Sequence, residues 1–404
     1  MQLAGGTTMA KTIEKTIKAP KTDKALKAPK TEKTVKAPKA PKAPKMVRIG
    51  IIGCGGIANG KHMPSLRKLA NVEMVAFCDI IEERAAKAAA EYGTHAKVYT
   101  DYTELLKDKS IDVIHVLTPN KSHSFITVAA LESGKHVMCE KPMAKTAAEA
   151  QKMLDAAKKS GKLLTIGYQG RQRADSQYLK QICDAGDLGE IYYAKAHAIR
   201  RRAVPTWGVF LNEDEQGGGP LIDIGTHALD LTLWMMNNYK VKSVMGNVYH
   251  KLGKKENAAN AWGSWDPKKF TVEDSAFGFI TMENGATINL EASWALNTLD
   301  VGESQCTLCG TEGGADMKDG LRINGEKNSR TYVTRPDLAA GGVAFYDGAE
   351  DTEADLEARQ WINAILTGVS PTVLPEQAIV VTQILEAIYE SAKTGKPVYF
   401  FNKK

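Results

Sequence analysis

The sequence predicts a two-domain α/β protein: a parallel sheet covered by helices on both faces, followed by an α+β domain with an open, mostly antiparallel sheet. Three observations lead there. At 404 residues the chain is longer than one ordinary domain. From Val47 onward, near-continuous apolar runs alternate with helical stretches, as in strands buried on both faces. Beyond about Gly167 the segments shorten and alternate apolar with polar residues, as half-buried antiparallel strands do.

Taken in order, Val47 to Gly53 reads as a buried strand, Ile57 to Leu69 as a helix, Val72 to Asp79 as a strand, and Glu82 to Tyr92 as an alanine-rich helix. Further strands are expected at Val98 to Tyr99, Val113 to Leu117 and His136 to Cys139. In the second half, strands are expected at Ile191 to Ile199, Val244 to Lys251, Ser275 to Met282, Ala286 to Trp294 and Ser304 to Cys309. Glu283-Asn284-Gly285 reads as a hairpin turn between two of them. The division predicted is a tail over 1–45, a first domain over 46–166 and a second over 167–404. A broad sheet needs cover on its second face, which points to a homo-oligomer.

The net charge of +6 is unevenly placed. Residues 1–45 hold twelve lysines against Glu14, Asp23 and Glu32, a net of +9, so the remainder carries −3. From Lys15 to Lys45 a lysine falls at every third position among Ala, Pro and Thr. Such a segment has too little apolar surface to offset its ordering entropy and reads as a disordered leader, with an anion-binding or assembly arm as the alternative. The basicity therefore does not predict a nucleic-acid partner for the folded part. No apolar run reaches the roughly 18 to 20 residues of a membrane span. The tail has no export-signal pattern, and the six cysteines are sparse and set partly in apolar runs, so the protein is expected in the cytoplasm. Cys306 and Cys309 have the spacing of a redox or zinc pair, but no second pair accompanies them, so they read as strand cysteines and no metal is expected.

The strand from Val47 runs into Gly53-Cys54-Gly55-Gly56-Ile57-Ala58, a G-x-G-x-x-A pattern opening a helix. Gly53 allows the tight turn, Gly55 lets the backbone approach a pyrophosphate, and Ala58 permits close helix packing, with Gly56 and Ile57 at the anion-binding helix start. This predicts a Rossmann dinucleotide-binding domain. Asp79, at the end of the second strand, can accept hydrogen bonds from ribose hydroxyls. Ile80 and Ile81 follow it rather than an arginine for a 2'-phosphate, so NAD is expected over NADP.

Four further segments complete a recognisable order: Thr118-Pro119-Asn120, Glu140-Lys141-Pro142, Tyr168-Gln169-Gly170-Arg171, and Gly217-Gly218-Gly219 leading to Asp223-Ile224-Gly225-Thr226-His227. With the glycine loop, they make residues 46–404 resemble the glucose-fructose oxidoreductase / inositol dehydrogenase / rhizopine catabolism (Gfo/Idh/MocA) family. The resemblance implies a cofactor across the strand ends, lined by Thr118, Pro119, Asn120, His123 and Glu140. It implies that Lys141 contacts both substrate and nicotinamide ribose, that Asp223 orients substrate, and that His227 is the acid/base residue. Tyr168, Arg171 and Trp207 join the expected substrate side.

The same chemistry follows from the residue types. Oxidising an alcohol removes a proton while hydride leaves carbon; an imidazole suits the first task, and a nearby ammonium stabilises the developing alkoxide. Asp223 and His227, four apart, would share a helix face, letting the carboxylate orient the imidazole. Trp207, Trp262, Trp265 and Trp294 lie in the substrate half, where indoles stack on sugars or aromatic aglycones but more often fill cores. Arg200-Arg201-Arg202 reads as a solvated loop, with a carboxylated substrate or another subunit as alternative.

The stretch from His197 to Phe210 resembles enzymes of the family that oxidise glucosides at the C3 hydroxyl, including those acting on flavonoid C-glucosides such as puerarin. The expected activity is thus NAD-dependent oxidation of a sugar or glucoside secondary alcohol to a keto-sugar, whose product a partner lyase can then cleave. Two alternatives are an inositol or free-sugar dehydrogenase, and a glycosidase that oxidises C3 transiently, eliminates and reduces again. A sugar sensor without catalysis is disfavoured by the presence of Lys141, Asp223 and His227. Deleting residues 1–45 is expected to leave turnover intact; steady-state assay of the truncated protein, with circular dichroism as the folding control, checks this.

Overall fold

The computed structural model describes residues 45–338 and 351–400. The lysine-rich tail, save Lys45, lies outside those residues. The first half runs β1 (Val47–Ile52), α1 (Met63–Arg67), β2 (Val72–Cys78), α2 (Glu82–Tyr92), β3 (Lys97–Tyr99), α3 (Tyr102–Leu106), β4 (Val113–Val116), α4 (Asn120–Glu132), β5 (His136–Cys139), α5 (Ala147–Ser160) and β6 (Leu164–Ile166). Its strands form one parallel sheet in the order β3-β2-β1-β4-β5-β6. The order reverses between β1 and β4, and connections leaving a sheet in opposite directions at such a point open a crevice at the carboxyl ends of the strands.

The strands form where apolar residues can be buried on both faces: Ile49 and Ile51 of β1, Phe77 of β2 and Val113 of β4 are enclosed on one, and Ile52 of β1 with Ile114 and Val116 of β4 on the other. The helix expected from Ile57 to Leu69 divides into a π turn over Ala58–His62 and α1. Pro64 explains the break. It has no N–H to donate to the carbonyl four residues back and tolerates only the first turn of a helix, where it stands in α1. β6, with only Leu-Thr-Ile, is too short to show a period and was not expected from the sequence. Thr146 caps α5 by accepting the Glu149 N–H, and Gly161 ends it in the left-handed region at φ 65°.

The second half contains α6 (Ala174–Ala185), β7 (Ile191–Ile199), α7 (Glu213–Gln216), a π turn over Leu221–Gly225, α8 (Thr226–Met236), β8 (Val241–Tyr249), β9 (Ser275–Met282), β10 (Thr287–Ser293), β11 (Gly302–Gly310), β12 (Gly313–Asp316), β13 (Arg322–Lys327), β14 (Arg330–Thr334), α9 (Glu353–Thr367), α10 (Pro375–Thr394) and β15 (Val398–Tyr399). The sheet order is β14-β13-β12-β11-β7-β10-β9-β8-β15. Its pairs are antiparallel except β7 with β10. β9 shows how the sheet is built: Ala276, Ile280 and Met282 turn inward while Phe277 and Phe279 turn out. The Glu283 to Gly285 turn joins it to β10, with Met282 N–H donating to Ala286 O at 2.8 Å and Gly285 at φ 92°. Among the described residues, no helix is long and apolar enough to cross a membrane.

One element assigned to the second domain packs on the first. Trp361 and Ile362 of α9 join Ile49, Ile51, Met63 and Leu66 in a single core cluster. Lys68 on the first half bonds Asp355, which also closes a capping box with Thr352 at the start of α9.

Arg171, expected at the substrate, is instead a core residue. Its Nε and Nη2 donate to Asp230 at 2.9 and 2.6 Å, its Nη1 donates to Thr372 O and Gln377, and its guanidinium lies 5.3 Å from the Trp234 ring centre. A fully buried side chain with these partners cannot reach a substrate. Removing one member of such a pair leaves an uncompensated buried charge, so Arg171→Met should lower unfolding stability by about 3–5 kcal/mol. Urea denaturation of both proteins reads this directly, and a loss under about 1 kcal/mol contradicts the core role.

Candidate active site

The segments after β1, β2, β4 and β5 meet at the crevice. Gly53 donates its N–H to Cys78 O at 2.8 Å and sits at φ 93°, where a Cβ would come within 2.6 Å of Leu117 O. Only glycine fits there. At Gly55 and Gly56 an added Cβ would meet nothing within 4 Å, so the loop backbone is open to close approach. Asn59 pins the loop by donating to the Cys54 and Gly55 carbonyls. Ala58 is fully buried against the sheet and Ile57 is exposed at the helix start. This cradle suits a diphosphate at a helix N-terminus. Asp79 Oδ2 accepts the Cys54 N–H and Oδ1 the Ile81 N–H, both at 2.9 Å. The carboxylate thus ties the glycine loop to the end of β2 and helps start α2, with lone pairs left for ribose hydroxyls.

Thr118 and Pro119 close β4 and open α4. Thr118 Oγ1 accepts from Ser122 Oγ at 2.7 Å, and Asn120 Nδ2 reaches across to Gln216 O at 3.0 Å. His123 lies beneath this surface rather than on it. Its ring nitrogens face Pro142 O at 2.8 Å and Thr118 O at 2.9 Å, and it is buried. It therefore joins two loops of the crevice from below and has no face toward a cofactor.

Glu140 is likewise drawn inward. Its Oε1 accepts from Lys61 Nζ at 2.7 Å and contacts His62 Nε2 at 2.8 Å, while its Oε2 accepts the Lys141 N–H at 3.0 Å. Burial opposes its charge, but Lys61 and His62 outweigh burial and hold the carboxyl well below the usual range. Lys61 is shared with Glu357 at 2.8 Å, so α9 completes the cluster. His115, 3.3 Å from His62, is kept neutral by burial and by His62. Glu140 is a buried anchor for the Lys141 backbone, which corrects its expected place among the cofactor contacts.

Lys141 points the other way. Its Nζ donates to Asp223 O at 2.9 Å and to Asp223 Oδ1 at 3.0 Å. Asp223 lies in the Leu221–Gly225 turn, and its Oδ2 accepts from Trp294 Nε1 at 3.0 Å with Arg200 Nη1 4.0 Å away. Burial pushes the Asp223 carboxyl up, but the Lys141 and Arg200 charges prevail and hold it low. His227 stands in the first turn of α8, where burial first and Lys141 second push its pKa down to about 3. It is therefore a neutral imidazole, able to accept a proton. No hydrogen bond joins it to Asp223 or to any other described residue. The expectation that Asp223 orients the imidazole fails: its carboxylate accepts from Lys141 and Trp294, and no hydrogen bond joins it to His227.

Tyr168 supports His227 edge-on, with ring centres 6.0 Å apart, but is itself buried and hydrogen-bonded to Thr226 at 2.8 Å. It forms the floor rather than a substrate contact. Trp207 is half exposed at the rim and packs 5.0 Å from Trp262 and 5.9 Å from Phe210. Two chains of contacts lead from this rim to Asp223: Phe210 to Trp294, and Trp262 to Arg200, whose guanidinium is 5.2 Å from the Trp262 ring centre. Trp265 donates its indole N–H to Gly253 O and packs 5.9 Å from Phe270, which in turn packs on Trp294.

Sequence reasoning missed Lys61, His62 and Glu357, because charged residues on helical segments ordinarily face water and only the fold encloses these, and His115, a lone polar residue inside the buried strand β4. It also read the arginine run as one solvated loop. The structure splits it: Arg200 is held inward by Glu303 at 2.5 and 2.7 Å, Arg201 is exposed, and Arg202 bonds Asn297. Burial pushes the Cys306 and Cys309 thiols up, and both remain free. Among the described residues no group of side chains could hold a metal.

Because the Lys141 charge lowers the His227 pKa, Lys141→Met should move that pKa upward, toward the ordinary value near 6.5. Histidine ring resonances followed by NMR against pH read the shift, and an unchanged or lowered midpoint contradicts the coupling.

Residues 47–168 match the family model described as the oxidoreductase family NAD-binding Rossmann fold, and residues 180–400 match its C-terminal alpha/beta domain. The chain is 36% identical over 352 residues to the D-glucoside 3-dehydrogenase of Escherichia coli (strain K12), covering 87% of this chain and 97% of that protein. It is 34% identical over 204 residues to the inositol 2-dehydrogenase of Salmonella paratyphi B, covering 49% of this chain and 57% of that one. Its fold matches the crystal structure of an oxidoreductase domain protein from Kribbella flavida with a TM-score of 0.77 at 22% identity, over 89% of this chain and 100% of that one. The ordered motifs, the cradle at Gly53 and these matches together make the chain a member of the Gfo/Idh/MocA oxidoreductase family, with NAD as its cofactor.

Proposed function

We propose that this protein oxidises a secondary alcohol of a D-glucoside, at C3, to the keto-sugar. What carries the reading is Lys141 Nζ held by Asp223, with an uncharged His227 in the first turn of α8 whose pKa the Lys141 charge lowers. The similarity to a D-glucoside 3-dehydrogenase over most of both chains supports the substrate and the position.

The nicotinamide supplies a hydride acceptor when NAD is bound. Gly53, Gly55, Gly56 and Ile57 would hold the diphosphate and Asp79 the adenosine ribose, with Thr118, Pro119 and Asn120 along the opposite wall. The protein's own part is to move a proton and stabilise charge. His227 takes the hydroxyl proton, which a neutral imidazole can do without first losing one. Lys141 stabilises the oxygen as negative charge develops on it, an effect that is strongest in a site shielded from water. Asp223 holds Lys141 in reach and leaves it able to turn to the substrate oxygen. Trp207 and Trp262 form a platform at the rim suited to the ring of an aglycone, flavonoid C-glucosides such as puerarin included.

A C3 ketone acidifies the proton at C2, so the product is primed for elimination by a lyase. The outward face of the second sheet, where exposed Met245 pairs with exposed Phe279, supports self-association through that face. Light scattering on the purified protein reads its mass.

Methyl and phenyl β-D-glucopyranoside, a flavonoid C-glucoside, D-glucose and myo-inositol, each incubated with NAD and then with NADP, separate the readings. The expected result is NADH formed one-for-one with a 3-keto-glucoside identified by NMR, and at least tenfold preference for NAD. Sugar released with no net NADH indicates transient oxidation by a glycosidase, and turnover of inositol or glucose alone indicates a free-sugar dehydrogenase. Lys141→Ala should lower kcat by at least a hundredfold with NAD affinity retained, and Trp207→Ala should raise KM for the phenyl glucoside more than for the methyl glucoside. Retained turnover in the first variant sinks the role assigned to Lys141.

A further inference from the structure

Glu273 is a buried carboxyl just before β9 that the chemistry above does not use. It accepts three hydrogen bonds: Gly219 N–H to Oε2 at 2.8 Å, Leu221 N–H to Oε1 at 3.1 Å, and Tyr389 hydroxyl to Oε1 at 2.9 Å. The two backbone donors belong to the start of the π turn that carries Asp223. Donors at the beginning of a helical segment have no partner within it, and the Glu273 oxygens supply acceptors.

The chain is folded tightly around this carboxyl. A Cβ on Gly218 would come within 1.9 Å of the Tyr389 hydroxyl, and one on Gly219 within 2.2 Å of the Glu273 carbonyl oxygen. The glycine run is therefore what lets the turn seat on Glu273. From there the connection to the site is short. The Asp223 N–H donates to Gly219 O at 2.9 Å, and Asp223 in turn receives Lys141. The next residue secures the second side of the same carboxylate: Asp274 O accepts the Trp294 N–H at 3.1 Å, and the Trp294 indole donates to Asp223 Oδ2.

We propose that Glu273 is a positioning residue for the reaction, seating the Leu221–Gly225 turn so that Asp223 presents Lys141 to the substrate hydroxyl. It touches neither Lys141 nor Asp223 itself and acts through the turn. The inference rests on the reading of Lys141 and Asp223 as the alcohol-binding pair.

Glu273→Gln tests it. One amide oxygen can still accept from Leu221 and Tyr389, but the amide NH2 then faces the Gly219 N–H, donor against donor. With methyl β-D-glucopyranoside as substrate, kcat is expected to fall tenfold or more while the NAD dissociation constant stays within twofold. The primary deuterium isotope effect at C3 is expected to rise, because a misplaced Lys141 slows the hydride step itself. Tyr389→Phe keeps both backbone bonds and is expected to lose no more than about threefold. A folded Glu273→Gln with wild-type kcat and isotope effect overturns the proposal. If that variant does not fold, Gly219→Ala probes the same seat, and unimpaired kcat there overturns it equally. A crystal structure of the variant provides a readout independent of substrate: a displaced turn, with Lys141 Nζ no longer within hydrogen-bond distance of Asp223 Oδ1, supports the proposal, and an unmoved turn overturns it. Wild-type protein inactive on every glycoside would instead count against the proposed function, leaving the crystallographic arm to decide this one.

Discussion

Lys141 extends from the end of β5 to Asp223 in the turn before α8, and this ion pair joins the parallel sheet of the first half to the antiparallel half. Everything else in the site is arranged around keeping it. An ammonium and a carboxylate brought out of water lose solvation that their mutual attraction alone need not restore, so such a pair persists where further hydrogen bonds hold both members in register. Asp223 has the Trp294 indole and its own turn, and Lys141 has its backbone N–H on Glu140. The pair is therefore anchored from both halves of the chain.

Beneath it lies a second set of charges with a different job. Lys61, Glu140 and Glu357 are enclosed and mutually compensated, so they carry no free charge toward a substrate. Their value is geometric: they join the π turn after the glycine loop, the loop after β5 and α9 at one point. The wide turn at Ala58–His62, forced by Pro64, is what points Lys61 and His62 inward together. His227 then sits in surroundings where burial, and after it the Lys141 charge with a smaller part from Lys61, keep it uncharged. A base and a cation can stand side by side because the cation suppresses protonation of the base.

Legibility in the sequence followed the range of the interaction. The glycine loop was readable because tight turn, close approach and helix packing each demand a small residue at a local position. Lys141, Asp223 and His227 were readable as residue types in an ordered set of motifs. Arg171 and Glu140 were misplaced, since a charged residue beside a motif looks the same whether it faces a ligand or a buried counter-ion. Asp230 and Lys61, the partners that settle those two cases, lie 59 and 79 positions away in the chain. β6 and the exposed hairpin of β13 and β14 were not expected because short or wholly solvated strands leave no apolar period.

By itself, then, the sequence determined the two sheet types, the dinucleotide cradle and the chemical kinds of group available to the site. These depend on periodicity and on backbone freedom, which neighbouring residues decide. The tertiary structure decided which charged groups face the crevice and which are sealed beneath it, that α9 belongs to the first core, and that Asp223 serves Lys141 rather than His227. Those outcomes turn on desolvation and on partners supplied by distant segments, and neither quantity exists until the chain has folded.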